Sequence, residues 1–525
     1  MSGKSSSKKI MLYAVIGILA VAAVSVSLLG GNNSQQQVTQ NVEDSRKQAI
    51  ENFKIQFCGP NPKANSNAFV TEYVLPTECE MPLGMTADGQ KAYYVSTKNG
   101  AVGYYDTEKA EFSEHLAPNW PTRSSPTEFS MVWAAKQDSS GNIWFTDDKA
   151  GLIWKFTKST GDFVSFQSPV QQPISLDFDS DGNMYLVGVR SKSLYYGEVA
   201  KMNPGTADGF TEIKLPLDGF ANATDFKISS GSVAVDKQRN VVWTSILAFQ
   251  EKGQIFSYKP STGEIMVYDL PPELNSPVGM AVDNDGRLWV TDHGTSIFFM
   301  LDPATGGLTR YTTAVASDRI FGGLEPEGSY TLPYWIQAAP DGSIWFNQHV
   351  GNKIAKFDSA SGTLTEYWIP TQNPNWQNCP DNAASCGLAN ALQFTVGSDG
   401  QVWFSEWTEN KIGRINPTAI PFSISAQDEI TVSKGSSAEV KVTVNASDDV
   451  AGKMTASATF VNTGSLGKSA GIFSESNVSL TKDSSKQVSY VFTPADDLAP
   501  GKYVLMLGLD TGEVSVLKAI RVTVV

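Results

Sequence analysis

The chain has 525 residues, too many to bury around a single hydrophobic core. Its 44 Gly, 26 Phe, 17 Tyr and 12 Trp, against only 18% charged residues, suit many short strands and tight turns rather than helices. A formal net charge of -14 sets most of the surface against phosphate backbones, so nucleic acid is excluded as a partner.

Residues 1–9 form a short tail carrying Lys4, Lys8 and Lys9, and residues 10–29 hold no charge at all. At about 1.5 Å per residue that run crosses a hydrocarbon core of about 30 Å, so residues 10–31 are expected to be a transmembrane anchor. The positive-inside rule keeps the tail cytoplasmic and sends the rest outward, which predicts a single-pass cell-membrane protein with an extracytoplasmic C-terminus. The alternative is a cleaved signal peptide, with residues 20–22 or 25–27 as small-residue cleavage sites. The apolar run is longer than the usual signal core of about 7–15 residues and favours the anchor. Residues 32–68 read as a polar stalk with one short helix over 44–53. An exported chain with four cysteines points to two disulfides, Cys58 with Cys79 and Cys379 with Cys386, each pair being close in sequence. Asn32, Asn222, Asn445 and Asn477 each open an Asn-x-Ser/Thr sequon and are the expected glycosylation acceptors.

From residue 69 the chain repeats itself. Each unit has an apolar strand, an Asp-Gly or similar turn, and a strand centred on an aromatic, as in residues 279–292. The central aromatics are Tyr94, Trp144, Tyr185, Trp243, Trp289, Trp345 and Trp403, which makes seven units. A third strand, a Ser/Thr-Gly turn and a fourth strand complete each unit, and four antiparallel strands make one propeller blade. The seventh unit lacks its fourth strand, whereas residues 69–76 match 363–370 and precede the first unit. The expected architecture over 69–417 is therefore a seven-bladed β-propeller closed by an N-terminal strand, with no open edge at the seam. Residues 418–525 lose the repeat and alternate apolar and polar positions, as in 438–444 and 487–492, which predicts an Ig-like β-sandwich. The fold class is all-β.

Turns after strands one and three lie on one face of the disc and are short; loops after strands two and four lie on the other and are long. The long-loop face carries Trp120, Arg123, Tyr334, Trp376 and Trp407, aromatic and cationic groups suited to ligand binding. The residues just past each aromatic strand, including Asp147, Asp292, His293, Gln348, His349 and Glu406, would gather there as a bowl. In that reading His293, His349 and Glu406 are the acid–base candidates, and Asp147, Asp292 and Glu406 would hold a divalent cation, Mg or Ca. Asp177, Asp179 and Asp181 start like a calcium loop but Gly188 stands where the loop needs Glu, so a plain turn is expected. His115 reads as surface.

Residues 403–415, Trp-Phe-Ser-Glu-Trp-Thr-Glu-Asn-Lys-Ile-Gly-Arg-Ile, and 365–370, Thr-Glu-Tyr-Trp-Ile-Pro, resemble the repeats of the streptogramin B (virginiamycin B) lyase family. The resemblance covers about 69–417 and implies a seven-bladed propeller; in the enzymes it implies magnesium-assisted elimination that opens a cyclic depsipeptide lactone. Those enzymes place histidines in a Pro-His-x-Ile arrangement. Here the matching segments begin Pro82-Leu83, Pro173-Ile174, Pro277-Val278 and Pro333-Tyr334, so no lyase residue carries over. Two functions follow as expectations. One is a membrane-anchored recognition or scaffold module that meets a surface glycan, peptide or protein through its long-loop face. The other is a metal-dependent lyase or lactone hydrolase built on the bowl.

Overall fold

The turn joining the first two strands of a blade shows how the repeat folds. Asp283 Oδ1 accepts the backbone N–H groups of Asp285 and Arg287, each at 3.0 Å, while its Oδ2 accepts the Trp289 indole at 2.8 Å and pairs with Arg287. One carboxylate thus closes the turn and fixes the aromatic of the next strand. Asp138 does the same for Trp144 at 2.9 Å. Asp179 closes its turn in the same way on the N–H groups of Asp181 and Asn183. The recurrent Gly follows from the same geometry, since Gly286 sits at φ +84 where a Cβ would be strained.

The computed structural model describes residues 32–59, 63–217, 228–248, 252–314, 318–321, 330–377, 379–380, 386–460 and 469–525. The expected anchor and Asn222 lie outside these residues, and among the described residues no helix is long and apolar enough to cross a membrane. Residues 51–525 form one compact unit. In place of a 44–53 helix, α1 runs over Asn32–Phe57.

Seven four-stranded antiparallel blades follow, the first being Pro82–Asp88, Lys91–Ser96, Ala101–Asp106 and Glu111–Leu116. Successive innermost strands touch in order, and Phe394–Val396 of blade seven touches Pro82–Asp88 of blade one, so the ring is closed. The outer strand of blade seven is β1, Val70–Val74, paired from Val70↔Ile415 to Val74↔Lys411, as the repeat count requires. One assignment shifts. Trp289 pairs with Ala281 and Trp345 with Gln337, four residues past the strand-opening proline; in blade one that register belongs to Tyr93, opposite Thr86, and Tyr94 faces the other side.

The C-terminal region is two sheets around one core. Phe422–Ser425, Ala438–Ala446, Ser485–Thr493 and Ala470–Phe473 form one; Val514–Val524, Gly501–Asp510, Val450–Ala458 and Asn477–Leu480 form the other, with Glu429–Val432 parallel to the last strand. Val440, Val442, Tyr490 and Phe492 face Leu505, Leu507 and Leu509 across the gap. The second sheet does not stop at the domain boundary. Val514–Val524 pairs antiparallel with Thr363–Trp368, the outer strand of blade six, which makes one nine-stranded sheet. Val504, Met506 and Leu517 join Phe346, Phe357 and Leu364 in a shared cluster. Nothing in the strand pattern of 418–525 announced this junction, because its strand pairing runs through backbone groups, which any sequence carries.

Both disulfides are formed, Cys58 with Cys79 and Cys379 with Cys386. Asn445 and Asn477 are exposed on strands of the sandwich. His115 is half-buried against Phe156 rather than freely exposed.

Candidate functional site

Strand alternation decides where each candidate points. Asp147, Asp292 and Glu406 end the second strands of blades two, five and seven and are fully buried, so the expected bowl of carboxylates is corrected. Asp292 accepts the Gly294 N–H at 2.8 Å and the Ser276 N–H at 3.2 Å, and Asp147 accepts the Ala150 N–H at 3.1 Å and the Trp154 indole at 3.4 Å. Each cap serves its own blade. Burial pushes Asp292 up to about 7. Among the described residues no three His, Cys, Asp or Glu side chains converge in a way that could hold a metal ion.

The next residue along faces the channel mouth. His293 and His349 lie with ring centroids 5.4 Å apart and planes within 10°, and Tyr334 stands 4.3 Å from His293. Burial draws His293 down to about 3 and His349 down to about 4, so both imidazoles are neutral near pH 7. Neither Nδ1 has a hydrogen-bond partner. Tyr334 occupies the position after the strand-opening proline, and Trp133 of blade two meets it edge-on across the mouth at 6.2 Å. Burial raises Asp148, which anchors the Met131 N–H at 2.8 Å beside Trp133, to about 6.

A lid that sequence reading assigned to the stalk lies over this mouth. Phe53 is buried among Met81, Leu83, Leu392 and Trp407. Phe57 packs at 5.3 Å from Phe129, 5.3 Å from Trp376 and 5.5 Å from Trp407. The open carbonyls at the end of α1 are satisfied by the face itself: Trp376 Nε1 donates to Gln56 O at 2.9 Å and Asn375 Nδ2 to Ile55 O at 3.4 Å. Cys58–Cys79 ties the end down. The i, i+4 spacing of Phe53 and Phe57 next to a cysteine was the available signal.

The other aromatic and cationic candidates serve the scaffold. Trp120 is buried, donates to Thr97 O at 3.2 Å, and fills the space over Gly100, where a Cβ would lie 2.3 Å from its ring. Arg123 donates to Asn99 O at 2.8 Å and also to Ala117 O, while Lys98 Nζ donates to Thr122 O at 2.9 Å and Glu128 O at 3.0 Å. Loop 117–131 is therefore held by its own Arg123 and by Lys98 of the preceding loop, and delivers Phe129 to the mouth. Trp407 is buried and donates to Thr97 Oγ1 at 3.1 Å. Beside the sealed mouth, blade two and its connection to blade three leave an open groove of about 470 Å³ lined by Asp148, Lys149, Gly151, Gln167, Gln171 and Gln172.

Phe57→Ala is expected to loosen the lid while leaving the propeller folded. The loss should fall below the ~3–5 kcal/mol of a fully buried Phe, since Phe57 is only half-buried. Acrylamide quenching of tryptophan fluorescence should rise through Trp376 and Trp407; unchanged quenching would mean that the helix end does not cover them.

These features define a seven-bladed propeller whose mouth is closed by its own chain. Residues 274–296 match the NHL repeat. Among solved structures the chain is similar to virginiamycin B lyase from Staphylococcus aureus, at 18% identity and a TM-score of 0.49 over 66% of this chain and 99% of that one. A streptogramin B lyase structure shares 21% identity, with a TM-score of 0.49 over 67% of this chain and 99% of that one. The extracellular domain of a one-component system from B. thetaiotaomicron shares 11% identity, with a TM-score of 0.42, over 90% of this chain and 59% of that one. No curated protein is significantly similar in sequence.

Proposed function

We propose that the protein is a non-catalytic recognition or scaffold module, held at the membrane by residues 10–29, that meets a surface glycan or peptide on its long-loop face. The observation that carries this reading is the state of the mouth. Trp133 and Tyr334 close it, Phe57 covers it, and Asp147 and Asp292 are spent on blade turns. One accessible part of the face is the groove along blade two and its connection to blade three, where amide side chains offer paired donors and acceptors to hydroxyl or peptide groups. In this reading the C-terminal sandwich is an immunoglobulin-like spacer.

Glycan and peptide arrays probed with the purified protein test it. Binding should fall when Gln171 and Gln172, both exposed, are replaced by Ala, with no change in Tm. A second reading, lyase-like or lactone-hydrolase activity, is favoured by the two neutral imidazoles, which could accept a proton once the lid moves. Incubation with a cyclic depsipeptide lactone, with and without magnesium, separates the two. No ring opening is expected, and turnover abolished by His349→Ala would replace the first reading with the second.

A further inference from the structure

Blades six and seven carry the same buried constellation with one exchange. In blade six, Lys353 Nζ lies 2.8 Å from Glu366 Oε2, and Gln348 Nε2 donates to Glu366 Oε1 at 2.7 Å. In blade seven the corresponding residues are Lys411, Glu72 and Glu406: Glu72 comes from β1, Lys411 Nζ lies 3.4 Å from its Oε2, and Glu406 stands where Gln348 stood. Glu72 also accepts the Thr371 N–H at 2.8 Å, the Thr371 hydroxyl at 2.7 Å and the Asn65 N–H at 2.8 Å. All three blade-seven side chains are buried.

An amide donates to a carboxylate without carrying charge. A carboxyl group can take that place only while protonated. Neither oxygen of Glu406 has a donor within hydrogen-bonding distance. The charged groups that bear on it are Glu72 on β1, Lys411 on the neighbouring strand and Glu409 in the intervening turn. Glu409, also 0% exposed, has one oxygen on Asn373 Nδ2 at 2.7 Å and the other without a partner; its counterpart in blade six is Gly351. Three buried carboxyl groups thus share a single ammonium.

We propose that β1 is held by a proton-dependent latch: protonated Glu406 and Glu409 let blade seven grip its closing strand as blade six grips Thr363–Trp368, and deprotonation in alkaline medium loosens β1. Burial raises Glu406 well above the ordinary carboxyl range and Glu409 to about 8. A carboxyl pKa raised by folding contributes stability that is fully present below the unfolded value of about 4.5 and is lost as pH rises. For Glu409 that loss runs up to about pH 8, and Glu406 loses its contribution in the same direction. His293 and His349 have the opposite sign, losing their contribution as pH falls below about 6.5, and are common to every variant compared.

The test is hydrogen exchange on the full chain, corrected for intrinsic rates, comparing amides of β1 with those of Thr363–Trp368 as an internal control. Between about pH 6.5 and pH 8, β1 should lose protection by up to about tenfold per pH unit for each proton released, while the control strand does not. Glu406→Gln should flatten the response of β1, and Glu409→Gln should flatten it further. The reciprocal Gln348→Glu should install the same pH dependence in Thr363–Trp368, which keeps the idea testable if Glu406→Gln does not fold. Equal protection of the two strands at alkaline pH, or an unchanged slope in the variant that folds, overturns the latch.

Discussion

A chain lacking residues 1–76 is expected not to hold a folded propeller at 37 °C, whereas one lacking residues 1–64 is expected to remain folded. The longer deletion removes β1 and leaves the strand Lys411–Ile415 as an open edge. It strips Lys411 of Glu72, and breaking a buried ion pair by deleting one partner costs about 3–5 kcal/mol. It also removes the buried side chains of Phe69, Val70 and Leu75, each worth about 1.5–3 kcal/mol. Together these approach the whole stability of a typical domain, about 5–15 kcal/mol. The shorter deletion keeps Asn65, Glu72 and the strand. Circular dichroism melts of the two chains decide the matter, and equal midpoints would refute closure by β1.

The second large effect concerns the junction with the sandwich. Leu517 is fully buried on the strand that pairs with blade six, and it packs with Phe346, Phe357 and Leu364. Leu517→Ala is therefore expected to cost about 2–5 kcal/mol. Because the core is shared, calorimetry of the intact protein should show one transition that shifts as a whole. Two resolved transitions, only one of which moves, would show that blade six and the sandwich unfold independently.

The blade count, the closing strand and both disulfides were legible in the sequence because each rests on local chemistry: the Asp-Gly turn, the central aromatic, and cysteines close along the chain. The candidate site was legible only in part, for a reason of period. Asp292 and His293 are neighbours, and alternation along a strand sends one between the blades and the other to the mouth. A reading that pooled them as loop polars could not separate structural caps from mouth residues. Trp120 and Arg123 misled for another reason, since a long loop usually runs over the surface, whereas 117–131 folds back on Gly100 and on the carbonyls around Lys98 and Arg123. Trp133 was findable by aligning it with Tyr334 at the start of the inner strand. The lid was hidden by its distance from the repeats, and the sheet junction because backbone pairing between distant strands carries no local sequence signal.

The strand pairing between Thr363–Trp368 and Val514–Val524 also breaks the sevenfold equivalence of the propeller's rim. The flank of blade six is taken up by an internal neighbour, so a lateral contact must approach through another sector. Because a paired sheet crosses that junction, the sandwich holds one azimuth around the propeller axis. Copies aligned by their sandwiches would then present the Gln171–Gln172 groove in a common direction rather than at random.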